Sequence, residues 1–252
     1  DELTYLARSG SDRIGALDFQ DSPTDFVPRM AGHASIDDLA EASARLEADQ
    51  PLSQELKGAL LYGTAIGGAR PKALIDDGPR RLIAKFSSTT DRSPVVKPEF
   101  IAMQLAQRCG IDVARTELTR SHERDVLLVE RFDRTPSGAR RAIVSALTIL
   151  GLSPTLERYG SYELLALKMR ELFADHVGAQ RELFSRIAFN ILCSNTDDHL
   201  SNHAAFWNGS TLELTPAYDI CPQSRAGEAS LATAIDASFR IANLRGLLDR
   251  AA

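Results

Sequence analysis

A polar stretch of eight residues interrupts the apolar pattern in the last third of the chain. We call it the Asp197 loop; it reads Asn195-Thr196-Asp197-Asp198-His199-Leu200-Ser201-Asn202. Before it, Gln180–Leu192 carries apolar residues at three- and four-residue spacing, which predicts an amphipathic helix. After it, short apolar runs flank Asn208-Gly209, a strong signal for a tight hairpin turn. A helix, a polar loop and a hairpin are therefore predicted in succession.

The spacing within this loop indicates phosphoryl-transfer chemistry. Asp197 and Asn202 are separated by four residues, as in the D-x-x-x-x-N pattern of a kinase catalytic loop. In that pattern the aspartate accepts the proton of the substrate hydroxyl, and the asparagine oxygen binds Mg²⁺. Asp198 does not have this spacing, so we assign the base to Asp197.

The hairpin predicts a second metal ligand. An antiparallel hairpin returns its second strand to the start of the first, so we expect Asp219, in Pro216-Ala217-Tyr218-Asp219, beside Asn202. A carboxylate and an amide oxygen together suit Mg²⁺.

Two other interpretations of the loop stay open. Asp-Asp-His clusters also occur as loop caps. Alternatively, the imidazoles of His199 and His203 could be zinc ligands of a metallohydrolase. No H-E-x-x-H motif accompanies them and the chain has only 5 histidines, so the kinase spacing fits better.

A second group of signals lies earlier in the chain. Tyr62–Lys72 is a Gly-rich turn with adjacent cations, whose backbone N–H groups could hold phosphate oxygens or which could be a flexible surface turn. Lys85 stands alone in the apolar run Leu82–Phe86, which predicts an anionic partner. Kinases use such a lysine for nucleotide phosphates and pair it with a helix glutamate, here Glu99. The alternative is a lysine that snorkels from an edge strand.

The coarse pattern predicts an α+β chain with two lobes, the first rich in strands and the second mainly helical. Expected subdomains are 1–60, 61–135 and 136–252, with the seam near 132–142. Predicted strands are Ile14–Phe19, Arg81–Phe86, Glu117–Thr119 and Val126–Phe132; predicted helices are Ser35–Ala48, Ser53–Leu60, Glu99–Cys109, Tyr162–Phe173 and Gln180–Leu192.

Composition narrows the setting. A net charge of −5 argues against binding nucleic acid by electrostatics alone. Cys109, Cys193 and Cys221 are far apart, which indicates reduced thiols in a cytoplasmic protein. No apolar stretch approaches eighteen residues, so no membrane segment or membrane partner is expected.

Four ordered segments resemble HipA-type kinases, the toxins of bacterial HipBA toxin–antitoxin modules. They are Gly67–Lys72, Val129–Arg134, Thr196–Asn202 and Thr215–Ile220. The resemblance implies a two-lobed, protein-kinase-like fold and a serine/threonine kinase that uses ATP and Mg²⁺.

The resemblance also implies site residues. Asp197 is the implied proton acceptor, Asn202 and Asp219 the implied Mg²⁺ ligands, and Glu130–Phe132 the hinge whose backbone holds adenine. The implied nucleotide-binding set is Gly67, Gly68, Ala69, Arg70, Pro71, Lys72, Lys85, Glu130, Arg131, Phe132, His199, Leu200, Ser201, Asn202, Tyr218 and Asp219. For the hinge, the alternative is an edge strand ending in a salt-bridged turn.

The resemblance implies partners as well. These are a HipB-like helix-turn-helix antitoxin, through which DNA is contacted only indirectly, and an aminoacyl-tRNA synthetase as protein substrate. Compared with the family the chain begins and ends early, so a compact variant and a fragment are both open interpretations. A separate small protein that supplies the N-terminal subdomain, as in three-component relatives, is a further partner to expect. Family members carry an autophosphorylated serine where this chain has Ala65, beside Thr64, so this route of self-inactivation is in doubt.

Three functions remain from the sequence. The first is an active protein kinase acting as a toxin. The second is a truncated, pseudokinase-like module that binds an antitoxin or a nucleotide without turnover. The third is a small-molecule phosphotransferase, because antibiotic kinases share the same aspartate–asparagine spacing.

Overall fold

The computed structural model describes most of the chain: residues 4, 6–7, 10–29, 35–54, 57, 72–78, 80–87, 95–224 and 227–250. Most of the predicted Gly-rich turn lies outside these residues. This covers Gly67, Gly68, Ala69, Arg70 and Pro71, together with Thr64 and Ala65, whereas Lys72 is described. Gln54 and Lys57 of the predicted helix Ser53–Leu60 are helical, but 55–56 and 58–60 also lie outside.

The elements follow an α+β order, as predicted, with strands concentrated early and helices later. They are α1 (Ile36–Glu47), β1 (Lys72–Asp77), β2 (Arg80–Phe86), α2 (Val96–Arg108), β3 (Thr116–Ser121), β4 (Arg124–Glu130), β5 (Ala142–Ser145), α3 (Ala146–Ile149), a 3₁₀ helix (Pro154–Tyr159), α4 (Tyr162–Leu172), α5 (His176–Cys193), a second 3₁₀ helix (Leu200–Asn202), β6 (Ala204–Trp207), β7 (Leu212–Leu214) and α6 (Leu244–Leu248).

The chain divides into two compact units. Unit 1 comprises Asp1–Phe100 and Arg115–Arg141, and unit 2 comprises Ile101–Ala114 and Ala142–Ala252.

Unit 1 is built on an antiparallel sheet with the strand order β1-β2-β4-β3. Alternate residues of β2, Leu82, Ala84 and Phe86, are buried in the same core as Leu39 and Ala40 of α1. The predicted helix Ser35–Ala48 corresponds to α1 and begins with a capping box, in which Ser35 Oγ accepts from the Asp38 N–H and Asp38 Oδ2 accepts from the Ser35 N–H. The strand β1 was not predicted, since only three apolar residues precede its acidic end.

The predicted strand Ile14–Phe19 is wrong. Gly15 has a φ of 77°, which breaks an extended strand, and Ile14–Ala16 form bends. The backbone carbonyls here accept from guanidinium groups instead of from a neighbouring strand: Arg134 and Arg140 both donate to the Gly15 carbonyl. Side chains far along the sequence therefore set the conformation of this segment.

Arg131 and Asp133 form the centre of that contact. The Arg131 side chain is 0% exposed and donates from Nε and Nη2 to the two carboxylate oxygens of Asp133, at 2.9 and 2.8 Å. Asp133 also accepts from Arg134 and from the Gly15 N–H. Burial acts to raise the pKa of Asp133, but Arg131 and Arg134 outweigh it and lower that pKa below its ordinary value.

Unit 2 has a helical core and a small sheet. Buried apolar side chains of α4 and α5, including Leu165, Met169, Leu183 and Ile187, pack in one cluster with Leu200. The strands β5, β6 and β7 form an antiparallel sheet in that order. Both predicted helices are confirmed, although α5 begins four residues earlier than expected, at a capping aspartate, Asp175.

The predicted hairpin is confirmed as β6–β7. Its four-residue connection begins with Asn208, whose Oδ1 accepts from the N–H groups of Ser210 and Thr211. Gly209 has a φ of 104°, a conformation that favours glycine. The predicted strands Arg81–Phe86, Glu117–Thr119 and Val126–Phe132 correspond to β2, β3 and β4. The predicted helix ending before Gly110 is α2, and Gly110 has the expected positive φ of 84°.

Within the described residues, no helix combines the length and the apolar character needed to cross a membrane. All three cysteines are described, and none forms a disulfide bond.

We predict that Asp133→Ala destabilises the fold strongly. The substitution leaves the buried Arg131 guanidinium without its carboxylate, which should lower the free energy of unfolding by about 3–5 kcal/mol. Urea denaturation measures the free energy of unfolding of this variant, of wild type and of a control. The control is Asp21→Ala, which removes an exposed aspartate from the N-terminal segment that contains Gly15. Equal stability of Asp133→Ala and wild type would show that the buried pair does not hold this segment.

Candidate functional site

The Asp197 loop begins at a defined helix end. Ser194, at the end of α5, has left-handed backbone angles (φ 64°, ψ 29°), and its N–H donates to carbonyls within the last turn. The Asn195 N–H then donates to the Asn190 carbonyl at 2.8 Å, and the buried Asn195 side chain donates to Asn190 Oδ1 at 3.1 Å. The helix end therefore fixes where the loop starts.

Asp198 is the buried anchor of the loop. Its Oδ2 accepts from the Tyr162 hydroxyl at 2.5 Å, the Asn190 side-chain amide at 2.8 Å and His203 Nε2 at 2.9 Å. Its backbone carbonyl accepts from the Thr233 hydroxyl at 2.7 Å. The donors come from α4, α5, the start of β6 and the segment after residue 227, so this one residue joins four parts of unit 2.

This network keeps Asp198 ionised despite its burial. Burial acts to raise the pKa of Asp198, but the neighbouring His203 and the hydrogen bonds from His203, Tyr162 and Asn190 outweigh it, and the pKa falls below its ordinary value of 3.8. Burial and the charge of Asp198 raise the pKa of Tyr162 well above 10.0, so its hydroxyl remains a hydrogen-bond donor.

Asp197 has the opposite environment from its neighbour. Its side chain is 66% exposed, compared with 4% for Asp198. Asp197 Oδ1 lies 3.0 Å from His199 Nε2. Among the described residues, no hydrogen bond or ion pair involves Asp197 Oδ2, which leaves this oxygen open to a further donor.

The hairpin brings the segments of Asn202 and Asp219 together. The Thr215 N–H donates to the Ala204 carbonyl at 3.0 Å, and the Tyr218 hydroxyl donates to the Ser201 carbonyl at 2.8 Å. Ser201 and Tyr218 directly precede Asn202 and Asp219. Asp219 has a φ of 60°, an uncommon conformation for an aspartate that is often found at functional sites.

His199 and His203, the two candidate zinc ligands, contact different residues. His199 Nδ1 lies near Glu157 and its Nε2 near Asp197, whereas His203 Nε2 bonds to Asp198. Neither histidine belongs to a group of three close metal-ligating side chains among the residues described. The geometry thus gives the zinc hydrolase no support.

In unit 1, Lys85 has the anionic partner that the sequence predicted. Its Nζ lies 2.5 Å from Glu99 Oε1, and the side chains are only 11% and 4% exposed. The strand β2 lies between β1 and β4, so the edge-strand alternative is wrong. A buried lysine paired with a helix glutamate is the arrangement that kinases use near nucleotide phosphates.

The predicted hinge, Glu130–Phe132, lies at the end of β4. The Glu130 N–H donates to the Arg115 carbonyl and the Arg131 N–H to the Arg81 carbonyl, both at 2.8 Å. Any adenine contact from these two backbones must therefore use their carbonyl oxygens. The salt-bridged turn of the alternative interpretation is present, but β4 is an interior strand of the sheet.

Sequence reasoning missed the residues that support the loop. Asn190 carried a usable signal, because it is a polar residue on the buried side of a predicted amphipathic helix. Tyr162, Thr233 and Glu157 carried none, since their contacts span 35 to 43 residues of sequence.

Comparison with known proteins identifies the family. A sequence model of the HipA-like C-terminal domain matches residues 64–250. The chain belongs to this family. The serine/threonine-protein kinase toxin HipA of Shewanella oneidensis is 30% identical over 162 residues, which cover 56% of this chain and 37% of the relative. The predicted resemblance to HipA-type kinases is therefore confirmed.

A solved structure supports the fold. The Shewanella oneidensis MR-1 complex of HipA, HipB and operator DNA matches with a TM-score of 0.73 and 25% identity, covering 95% of this chain and 62% of the other. The predicted kinase-like fold class is thus confirmed. The chain spans between 37% and 62% of the length of these two relatives.

We predict that Asp198→Asn removes a pH-dependent part of the stability. A depressed pKa in the folded state stabilises above the unfolded pKa, near 3.9, and that contribution disappears as the pH falls through the lower folded value. The variant should be about 3 kcal/mol less stable than wild type at pH 7. The difference should narrow between pH 5 and pH 3, as measured by urea denaturation. A constant difference across this range would contradict the ionised state of Asp198.

Proposed function

We propose that this chain is the core of an ATP- and Mg²⁺-dependent serine/threonine protein kinase of the HipA type. The observation that carries the proposal is the contrast within the Asp197 loop, where an exposed Asp197 follows the kinase spacing and a buried Asp198 anchors the backbone. Membership of the HipA-like family supports the same reaction.

Asp197 has the properties of the general base. Its Oδ2 accepts the proton of the substrate hydroxyl as the hydroxyl oxygen attacks the γ-phosphorus of ATP and ADP leaves. His199 binds the other oxygen at 3.0 Å and so limits rotation of the carboxylate. A positioned base of this kind typically contributes about 10²–10⁴-fold to the rate.

Asn202 and Asp219 would hold Mg²⁺. The chemistry of the donors fits, because an amide oxygen and a carboxylate are hard-oxygen ligands, and the Tyr218–Ser201 hydrogen bond joins the residues that precede them. Bound Mg²⁺ would neutralise negative charge on the phosphate oxygens. The uncommon backbone angles of Asp219 are consistent with a position set by function.

The remaining nucleotide contacts are proposed from the family resemblance. Lys85, held by Glu99, would bind phosphate oxygens, and the turn Gly67–Lys72 would cover them. The backbone of Glu130–Phe132 would hold the adenine ring. The buried Arg131 side chain pairs with Asp133 next to this hinge. His199–Asn202 would complete the nucleotide-binding loop.

The biological setting is also proposed from relatives. The solved neighbour is a complex of HipA with HipB and operator DNA. By analogy, we propose a HipB-like antitoxin as partner, DNA contact through that partner, an aminoacyl-tRNA synthetase as the phosphorylated protein, and action in the cytoplasm.

We predict that Asp197→Ala lowers the rate of phosphoryl transfer about 10²–10⁴-fold and leaves ATP binding nearly unchanged, because the base acts only on the hydroxyl proton. Transfer of ³²P from labelled ATP to a mixture of purified aminoacyl-tRNA synthetases, the proposed acceptors, measures the rate, and calorimetric titration measures ATP affinity. Asp249→Ala, an exposed aspartate of unit 2, is the control and should keep wild-type activity. Transfer by Asp197→Ala at the wild-type rate would refute the assignment, and absence of transfer by wild type would favour the non-catalytic alternative.

We predict that Asp219→Asn raises the Mg²⁺ concentration for half-maximal activity by at least about tenfold, because the site loses its charged ligand. Glu213→Gln removes a carboxylate from the same hairpin, on the exposed position of β7, and serves as the matched control. Mg²⁺ titrations of ³²P transfer compare the three proteins. An unchanged Mg²⁺ requirement for Asp219→Asn would exclude Asp219 as a metal ligand.

A further inference from the structure

Glu157 contacts the Asp197 loop from outside the four family segments. It lies in the 3₁₀ helix Pro154–Tyr159, and its side chain is 20% exposed. Glu157 Oε1 accepts the Leu200 N–H at 2.8 Å, and Oε2 lies 3.5 Å from His199 Nδ1. His199 Nε2 in turn contacts Asp197. The side chains of Glu157, His199 and Asp197 therefore form a continuous chain of polar contacts.

The hydrogen bond from the Leu200 N–H to Glu157 supplies an acceptor that the helix itself lacks. Leu200 begins the second 3₁₀ helix, and the first N–H groups of a helix have no acceptor within it. Glu157 provides that acceptor with a side-chain oxygen at 2.8 Å. The Leu200 side chain itself is 0% exposed, so the residue is held from both its backbone and its side chain.

Two neighbours of Glu157 hold the same part of the loop. Gly160 has no side chain, and a Cβ atom at this position would collide with the Leu200 side chain. The stretch Glu157–Tyr162 therefore lies directly against Leu200. Tyr162, two residues later, bonds to Asp198. Three positions of this stretch thus contact three consecutive residues of the Asp197 loop.

We propose that Glu157 is a positioning residue for the phosphoryl transfer. It fixes the Leu200 backbone and the His199 ring, and the ring then fixes the carboxylate of the exposed Asp197. An exposed side chain otherwise samples several rotamers, and small misplacements of a reacting group reduce rates strongly. The rate effect rests on the kinase function proposed above, whereas the anchoring of the loop does not.

The first test compares Glu157→Ala and Glu157→Gln with wild type in ³²P transfer to purified aminoacyl-tRNA synthetases. We expect Glu157→Ala to lower kcat about 10- to 100-fold, a larger factor than any rise in the KM for ATP. Glu157→Gln keeps an oxygen acceptor for the Leu200 N–H and should lose clearly less activity. Glu171→Ala removes an exposed carboxylate that pairs with Lys168 and should match wild type. A kcat of Glu157→Ala within twofold of wild type, or a change in KM alone, would overturn the proposal.

The second test does not need turnover. Amide hydrogen exchange of Leu200 should become at least about tenfold faster in Glu157→Ala, while the amides in the middle of α5 stay protected as in wild type. Unchanged exchange at Leu200, or equal acceleration throughout α5, would overturn the anchoring role. If wild type transfers no phosphate, the proposed function fails, and exchange at Leu200 alone decides whether Glu157 anchors the loop.

Discussion

The buried carboxylate of Asp198 is the interaction on which the candidate site depends. A carboxylate removed from water is costly unless hydrogen bonds compensate. Tyr162, Asn190 and His203 provide these at distances of 2.5 to 2.9 Å. Because the donors lie on different elements, satisfying Asp198 also fixes α4, α5 and the start of β6 around it. Because Asp198 is held in the interior, the side chain of the adjacent Asp197 is left exposed.

Unit 1 uses the same principle at two places. Lys85 is buried with Glu99, and Arg131 is buried with Asp133. Removing one partner of such a pair leaves an uncompensated charge, so each pair specifies the conformation of its segment strongly. The Arg131 pair orders the segment around Gly15, whose apolar side chains Ile14 and Leu17 are exposed and contribute little core packing. The Lys85 pair instead holds an ammonium group that a kinase needs for phosphate binding.

Several features followed directly from local sequence. The capping box at Ser35 and Asp38, the Asn208-Gly209 turn and the Lys85–Glu99 pairing all depend on short spacing or on one improbable polar residue in an apolar strand. The hairpin topology also brought the segments of Asn202 and Asp219 together, as expected.

Other features could not be predicted because they depend on distant parts of the chain. The segment near Gly15 resembled a strand, yet guanidinium groups more than one hundred residues away bind its carbonyls. The contact of Glu157 with Leu200 spans 43 residues and pairs a side chain with a backbone N–H, which leaves no pattern in the sequence. The roles of the nucleotide-binding residues remain predictions that rest on spacing and family membership.

The most direct test of the central claim is a crystal structure of the chain with Mg²⁺ and a non-hydrolysable ATP analogue. We expect oxygens of Asn202 and Asp219 to coordinate the metal at about 2.0–2.1 Å. We also expect Asp197 Oδ2 to face the terminal phosphate and Asp198 to remain bonded to Tyr162. A metal bound without Asn202 and Asp219, or a nucleotide bound with Asp197 turned away from its terminal phosphate, would contradict the account.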